Sequence, residues 1–253
     1  MSEELLPSTG PTSLTGEPAR KIKKPERFSP RYAEPFKDLG VVQAYQHRPP
    51  YADEVFDILA GLVAANRRCV LDAGCGTGNI ARHLVERDLR VDAVDFSQYM
   101  LDRGKELTNG NHPSLRWLCG KVEEIEDSAL DSPYGLVTAG ESLHWMDWNV
   151  VLPRFHKLLA EGAYLAIVEQ RVTPDPWSTL GEVVERYRTD GGYQPYNMLD
   201  ELERHGLFRK VGMRETRRVQ LVQSIDHFIE SYHARSGLLQ GAHGRGACNC
   251  VRP

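Results

Sequence analysis

The chain has 253 residues, of which 41% are hydrophobic and 26% charged. That is enough apolar material for one globular core with appendages, and it excludes wholesale disorder, collagen repeats and disulfide-stapled miniproteins. A formal net charge of −4 offers no global attraction to nucleic acid or anionic lipid. No run reaches the roughly 18–20 apolar residues of a membrane span, and five cysteines, an odd number, read as a reducing, cytoplasmic setting.

Residues 1–27 are rich in Pro, Ser, Thr, Gly and charge and read as a flexible tail without a secretory signal. Their basic cluster, Arg20, Lys21, Lys23, Lys24 and Arg27, reads as solvated. Tyr32, Phe36 and Tyr45 lead to Arg48-Pro49-Pro50-Tyr51, and a helix is expected over 52–65, with Val55, Ile58, Leu59 and Leu62 on one face. A strand at Cys69-Val70-Leu71 runs into a glycine cluster and a helix carrying Ile80, Ala81, Leu84 and Val85. Val91–Asp95 is a second strand, after which Ser97 caps a helix with Met100 and Leu101. Leu115, Trp117 and Cys119 alternate as a third strand, and Leu136–Ala139 make a fourth. The apolar spacing of Val151, Leu152, Phe155, Leu158 and Leu159 predicts a helix stopped by Gly162, followed by a fifth strand at Tyr164–Val168.

Strands alternating with helices at this pitch imply an α/β fold, a mostly parallel sheet flanked by helices. Helices are expected again over 177–188, 199–207 and 225–235, with a strand or hairpin within 211–222. The domain reading is a tail at 1–27, a Rossmann-like domain at 28–172, helices and strand completing or capping it at 173–237, and a tail at 238–253. Cys248, Cys250 and His243 do not make a closed metal site, and no metal is expected.

The most informative residues are Val70-Leu71-Asp72-Ala73-Gly74-Cys75-Gly76-Thr77-Gly78-Asn79. Glycines between strand and helix permit a sharp turn and close approach of a ligand to the backbone. Asp72, just before them, would repel a pyrophosphate, and Asp95, closing the next strand, is placed to accept hydrogen bonds from ribose hydroxyls. The implied ligand has an adenosine and a cationic end but no phosphate, a description that S-adenosylmethionine fits.

This segment resembles motif I of class I S-adenosylmethionine-dependent methyltransferases. Ala93–Leu101 looks like their ribose-binding motif, and Gly120–Ile125 like the adenine-side loop. Glu141-Ser142-Leu143-His144-Trp145-Met146-Asp147-Trp148 is similar to the His-Trp segment of the type 11, trans-aconitate methyltransferase-like group, and Tyr45-x-x-Arg48-Pro49 to its entry segment. The resemblance implies that Asp72 and the backbone at Gly74, Cys75 and Gly76 line the methionine moiety. It gives Asp95 and Phe96 the ribose, Val122 and Glu123 the adenine, and Met100 the part of an apolar lid on the ring, with Tyr45 and Arg48 closing over the cofactor carboxylate. Lys121 departs from the acid many relatives carry there. The fold normally ends in an antiparallel hairpin whose last strand inserts between the fifth and sixth. Here either that hairpin folds within 209–222 or the chain lacks the final strand.

Catalysis of methyl transfer to a small-molecule acceptor, a carboxylate or hydroxyl in preference to nucleic acid, is the activity implied. His144 is the candidate base, since a histidine ordinarily titrates near neutrality, and Glu141, His144 and Trp145 are candidate substrate contacts. A packed loop histidine, a solvated Glu141, core tryptophans and a structural Arg48 are the plainer alternatives. Two rival functions stand beside this one: a catalytically silent S-adenosylmethionine-binding or interaction protein with a truncated fold, and an NAD-dependent oxidoreductase, which the glycine spacing and Asp72 disfavour.

Overall fold

A computed structural model describes residues 2–7, 24–25, 28, 33–173 and 196–234. The helix expected at 177–188 and the tail at 238–253 lie outside the described residues. The strands are β1 (Ser2–Pro7), β2 (Cys69–Ala73), β3 (Arg90–Asp95), β4 (Leu115–Cys119), β5 (Tyr134–Gly140), β6 (Leu159–Val168) and β7 (Phe208–Arg214). The helices are α1 (Leu39–Tyr45), α2 (Asp53–Leu62), α3 (Ala81–Leu84), α4 (Gln98–Glu106), α5 (Trp148–Leu158), α6 (Met198–His205) and α7 (Ile225–His233). The chain divides into two compact units. The first takes Tyr51–Gln170, Tyr196–Arg217 and β1. The second takes the described parts of Lys24–Pro50, Arg171–Pro195 and Arg218–Pro253, so residues 33–50, expected in the Rossmann-like domain, fall outside the first unit.

In the first unit seven strands form one sheet in the order β4-β3-β2-β5-β6-β1-β7. The neighbours β4, β3, β2, β5 and β6 are all parallel. β2 and β5 are buried along nearly their whole length, which is why they read as unbroken apolar runs. Side chains alternate between two cores. Leu71, Val137, Leu165 and Ile167 join Trp148, Val151, Leu152, Phe155 and Leu158 of α5. Val70, Leu136, Ala166 and Val168 join Val55, Phe56 and Leu59 of α2 on the opposite face. Ser97 caps α4, its hydroxyl accepting from Met100 N, and Asp147 caps α5, accepting from Asn149 N.

Three expectations need correction. The fifth strand begins at Leu159, directly after α5, and Gly162 lies inside it at φ +74°, a conformation that favours glycine. There the register against β5 steps from Leu159 opposite Tyr134 to Tyr164 opposite Leu136, so the intervening residues bulge out. Only Phe208–Arg214 of the proposed hairpin region is strand; 215–224 has no regular structure. Last, Ser2–Pro7 is not tail. It lies between β6 and β7, antiparallel to both, the place where the resemblance puts a final strand. Composition misled here because strand pairing is made by backbone groups, which carry no side-chain signature.

In the second unit α1 is capped by Asp38, whose carboxylate accepts from Gly40 N and Val41 N, and packs against α7. His47 and His227 stack with ring centroids 4.3 Å apart.

Candidate active site

The chain leaves β2 for β3 and β4 on one side and returns through β5 and β6 on the other. This reversal opens a crevice at the carboxyl ends of β2, β3 and β5, where open α/β sheets take ligands. Gly74, Gly76 and Gly78 form its floor at φ +68°, +57° and +75°. A Cβ on Gly74 would stand 2.6 Å from Ser142 Cβ, and one on Gly78 2.5 Å from Trp117 Cη2. At those two positions a side chain would collide with protein atoms already in place.

The loop's amides are engaged inside the protein. Gly74 N and Cys75 N donate to Val94 O at 2.8 and 3.0 Å, and Gly78 N to Cys75 O at 2.8 Å. Gly76 N donates to Asp95 Oδ2 at 2.8 Å. Asp95 Oδ1 accepts from Ser97 N at 2.8 Å, so both carboxylate oxygens are fixed in direction. Burial pushes the Asp95 carboxyl up, while the bonds from Ser97 N and Gly76 N pull it back. Phe96, partly exposed, follows it at the rim.

Asp72 does not line an open surface. It is 1% exposed, and its carboxylate lies under the loop, accepting from Ala81 N at 3.1 Å and from the Thr138 hydroxyl at 2.9 Å. Burial pushes it up to about 7, those two hydrogen bonds opposing and the Asp95 charge adding to the rise. Cys75 is buried and its thiol is pushed well up by burial, consistent with packing. Met100 and Val122 are buried as well, Val122 within the core on the α5 face. Tyr45 and Arg48 belong to the second unit, the Arg48 guanidinium 5.1 Å from the Tyr45 ring centre.

The opposite wall follows β5. Glu141 takes φ +52°, unusual for a non-glycine residue. Its amide donates to Val168 O at 3.0 Å and its carboxylate accepts from Gln170 N at 2.6 Å, tying the ends of β5 and β6 together. Ser142 Oγ donates to Ala73 O at 2.6 Å. His144 and Trp145 are half-buried on the 3-10 turn Leu143–Trp145, their rings 4.5 Å apart. Trp148, in contrast, is core: it is 1% exposed and its indole donates to Leu143 O. Glu123 Oε1 accepts from Asp147 N at 2.9 Å, linking the loop after β4 to this turn.

Four residues that the sequence did not single out hold the crevice together. Thr138 and Ser142 anchor Asp72 and the β2 end. Trp117 fits against Gly78 and Gly104 and donates to Gly110 O at 2.8 Å. Arg82, 8% exposed, donates to Thr77 O, Thr108 O and Asn79 Oδ1 at 2.9, 2.9 and 3.2 Å. Thr138 and Ser142 reach partners more than sixty residues away, whereas Arg82 joins near neighbours in the chain to the more distant Thr108. Among the described residues no cluster of three His, Cys, Asp or Glu is fit to hold a metal, and no helix is long and apolar enough to cross a membrane.

Residues 70–162 match the model of a methyltransferase domain family. An uncharacterized methyltransferase of Mycobacterium tuberculosis is 35% identical over 160 residues, 58% of this chain and 58% of that protein. Trans-aconitate 2-methyltransferase of an Azoarcus species is 30% identical over 136 residues, 48% and 51% of the two chains. The chain thus spans little more than half the length of these relatives. The solved structure of a putative type II methyltransferase from Anaeromyxobacter dehalogenans superposes with a TM-score of 0.55 at 21% identity over 81% of this chain and 87% of that one, a likeness of fold.

Proposed function

We propose, from the premise that residues 70–162 form a domain of the methyltransferase family, that the chain binds S-adenosylmethionine in the crevice and transfers its methyl group to a small-molecule acceptor. One observation carries the choice of cofactor. Phosphate-binding glycine loops turn free backbone N–H groups toward the ligand. Here Gly74, Cys75, Gly76 and Gly78 all spend theirs internally, and two carboxylates, Asp72 and Asp95, lie beneath and beside the loop. Such a floor suits a phosphate-free ligand with a cationic end and disfavours a dinucleotide. Asp95 is the ribose acceptor, with Phe96 and Glu123 bordering the nucleoside. Asp72 acts from below as a positioning residue for the loop.

When bound, this cofactor supplies a methyl group already activated by its sulfonium charge. The protein's work is therefore alignment of the acceptor and exclusion of water. His144 and Trp145 form the acceptor side, on a turn held by Ser142, Trp148 and Glu123. A carboxylate or hydroxyl oxygen is the favoured acceptor; a carboxylate needs no base, whereas a hydroxyl would lose its proton to His144. The silent-protein alternative drew its force from a missing final strand, and β1 occupies that place in the sheet.

The deciding experiment is calorimetric titration with S-adenosylhomocysteine beside NADH. Saturable binding of the first and none of the second is expected, and the reverse would discard the reading. Once an acceptor is found, His144→Ala should lower turnover by about 10²–10⁴-fold for a hydroxyl acceptor while cofactor affinity holds. For a carboxylate acceptor the loss should appear in KM instead.

A further inference from the structure

β7 reaches the sheet through one neighbour. In the strand order it touches only β1, and β1 alone stands between it and β6. The inserted segment pairs on both edges: Ser2–Leu5 lie opposite Leu165–Val168 of β6, and Ser2–Pro7 opposite Phe208–Arg214 of β7. With both edges paired, successive main-chain amides of β1 turn alternately to β6 and to β7. The register against β7 is not sliding. It steps between Glu4, opposite Gly212, and Leu5, opposite Lys210, leaving Val211 as an extra residue. A bulge of this kind fixes which residue falls where.

The stretch of β6 that β1 covers is Leu165-Ala166-Ile167-Val168, all between 0 and 2% exposed. Stripped of β1 it would be a bare apolar strand edge, a template for pairing with other chains. Sequence places β1 far from its neighbours, more than 150 residues before β6 and 200 before β7, so no local hairpin holds it.

We propose that the gap between β6 and β7 is a strand-binding slot that takes an extended peptide through main-chain hydrogen bonds, and that Ser2–Pro7 of the same molecule is its resident ligand. Covalent connection gives such a segment an effective concentration on the order of mM, enough to keep a modest peptide affinity saturated within one molecule. The slot makes no use of Asp95 or the glycine loop, so its test is independent of cofactor binding.

Hydrogen exchange on the intact chain reads the slot directly. Amides of Glu3–Leu5 and of β7 should be protected by about 10²-fold or more over unstructured chain; unstructured rates at Glu3–Leu5 would overturn the proposal. A variant lacking residues 2–8 should melt about 5 °C or more below the intact chain and lose protection across Phe208–Arg214. A peptide with the sequence of residues 2–8, added at millimolar concentration, should restore both, and the same peptide carrying Leu5→Pro should not, because proline lacks the N–H that the ladder uses. Retained β7 protection in the truncated variant, or equal rescue by the two peptides, would overturn the slot. If the truncated variant does not fold, exchange on the intact chain still decides. A dimer in which mixed labelled and unlabelled copies trade strands would replace the intramolecular ligand by a second copy and overturn that assignment.

Discussion

Around β2 the sheet is built from strands that follow one another in the chain, all joined by helices except β4 and β5, and all run parallel. Beyond β6 it is built from strands brought from the two ends of the described sequence, and they run antiparallel. The first region concentrates chemistry. Its backbone takes left-handed turns at Gly74, Gly76 and Gly78, and its buried polar groups, Asp72, Asp95, Thr138 and Ser142, have hydrogen-bond partners inside the protein. The second holds none of the candidate cofactor or acceptor residues and serves to close the sheet. Binding and closure are thus separable tasks on one sheet, and substitutions can pull them apart.

The largest separation should come from Gly76→Val. A β-branched side chain at φ +57° is strained wherever it points, and the turn would rebuild. Binding of S-adenosylhomocysteine should vanish in calorimetry; a folded variant that still binds would remove the glycine loop from the site. Phe208→Ala strikes the other region. The ring is 2% exposed and packs in the α5-face core near His156, so about 3–5 kcal/mol of stability should be lost in denaturant unfolding. Ligand affinity of the fraction that stays folded should not move; a parallel fall in affinity would mean that the two regions are coupled.

A smaller effect is expected for Asp95→Ala. Each lost hydrogen bond to a charged acceptor costs about 1.5–3 kcal/mol, which corresponds to roughly 10–100-fold weaker binding, and unchanged affinity would take Asp95 out of the site. The finest test is Asp72→Asn. In the unfolded chain this carboxyl ionises near 3.8, in the fold near 7. Its contribution to stability is complete below about pH 3.8 and is lost as pH rises to 7, because over that window only the unfolded chain releases the proton. The variant should therefore gain in melting temperature relative to the parent as pH is raised from 4 to 7. A difference that stays flat across the window would mean that Asp72 does not titrate there.

The same division governs what could be read in advance. Val70-Leu71 and Leu136-Val137 are apolar runs bounded by glycine and turn residues, and both fell where expected because burial on two faces leaves that mark in composition. Ser97 as a cap, and Gly74 to Gly78 as a turn, announce themselves through local backbone chemistry. Met100 is 2% exposed, and in sequence an apolar residue beside a site looks the same whether it covers a ligand or the core. Arg82 was passed over because nothing in the sequence tells a buried arginine that bonds loop carbonyls from a solvated one, and its partner Thr108 is a neighbour only after folding. Ser2–Pro7 was the hardest, a Glu-rich segment with little strand propensity, recruited by backbone groups on β6 and β7 that no residue identity reveals.

Arg82 carries one more implication. Its buried guanidinium grips Thr77 O and Asn79 on the glycine loop and Thr108 O behind it, so the loop is already immobilised before anything enters the crevice. Fixing a residue's backbone costs roughly 1–2 kcal/mol of conformational entropy, and for this stretch that cost falls on folding instead of on association. Ligand binding should accordingly show little entropic penalty from ordering of Gly74–Asn79, with the favourable enthalpy of a cradle that was set in advance.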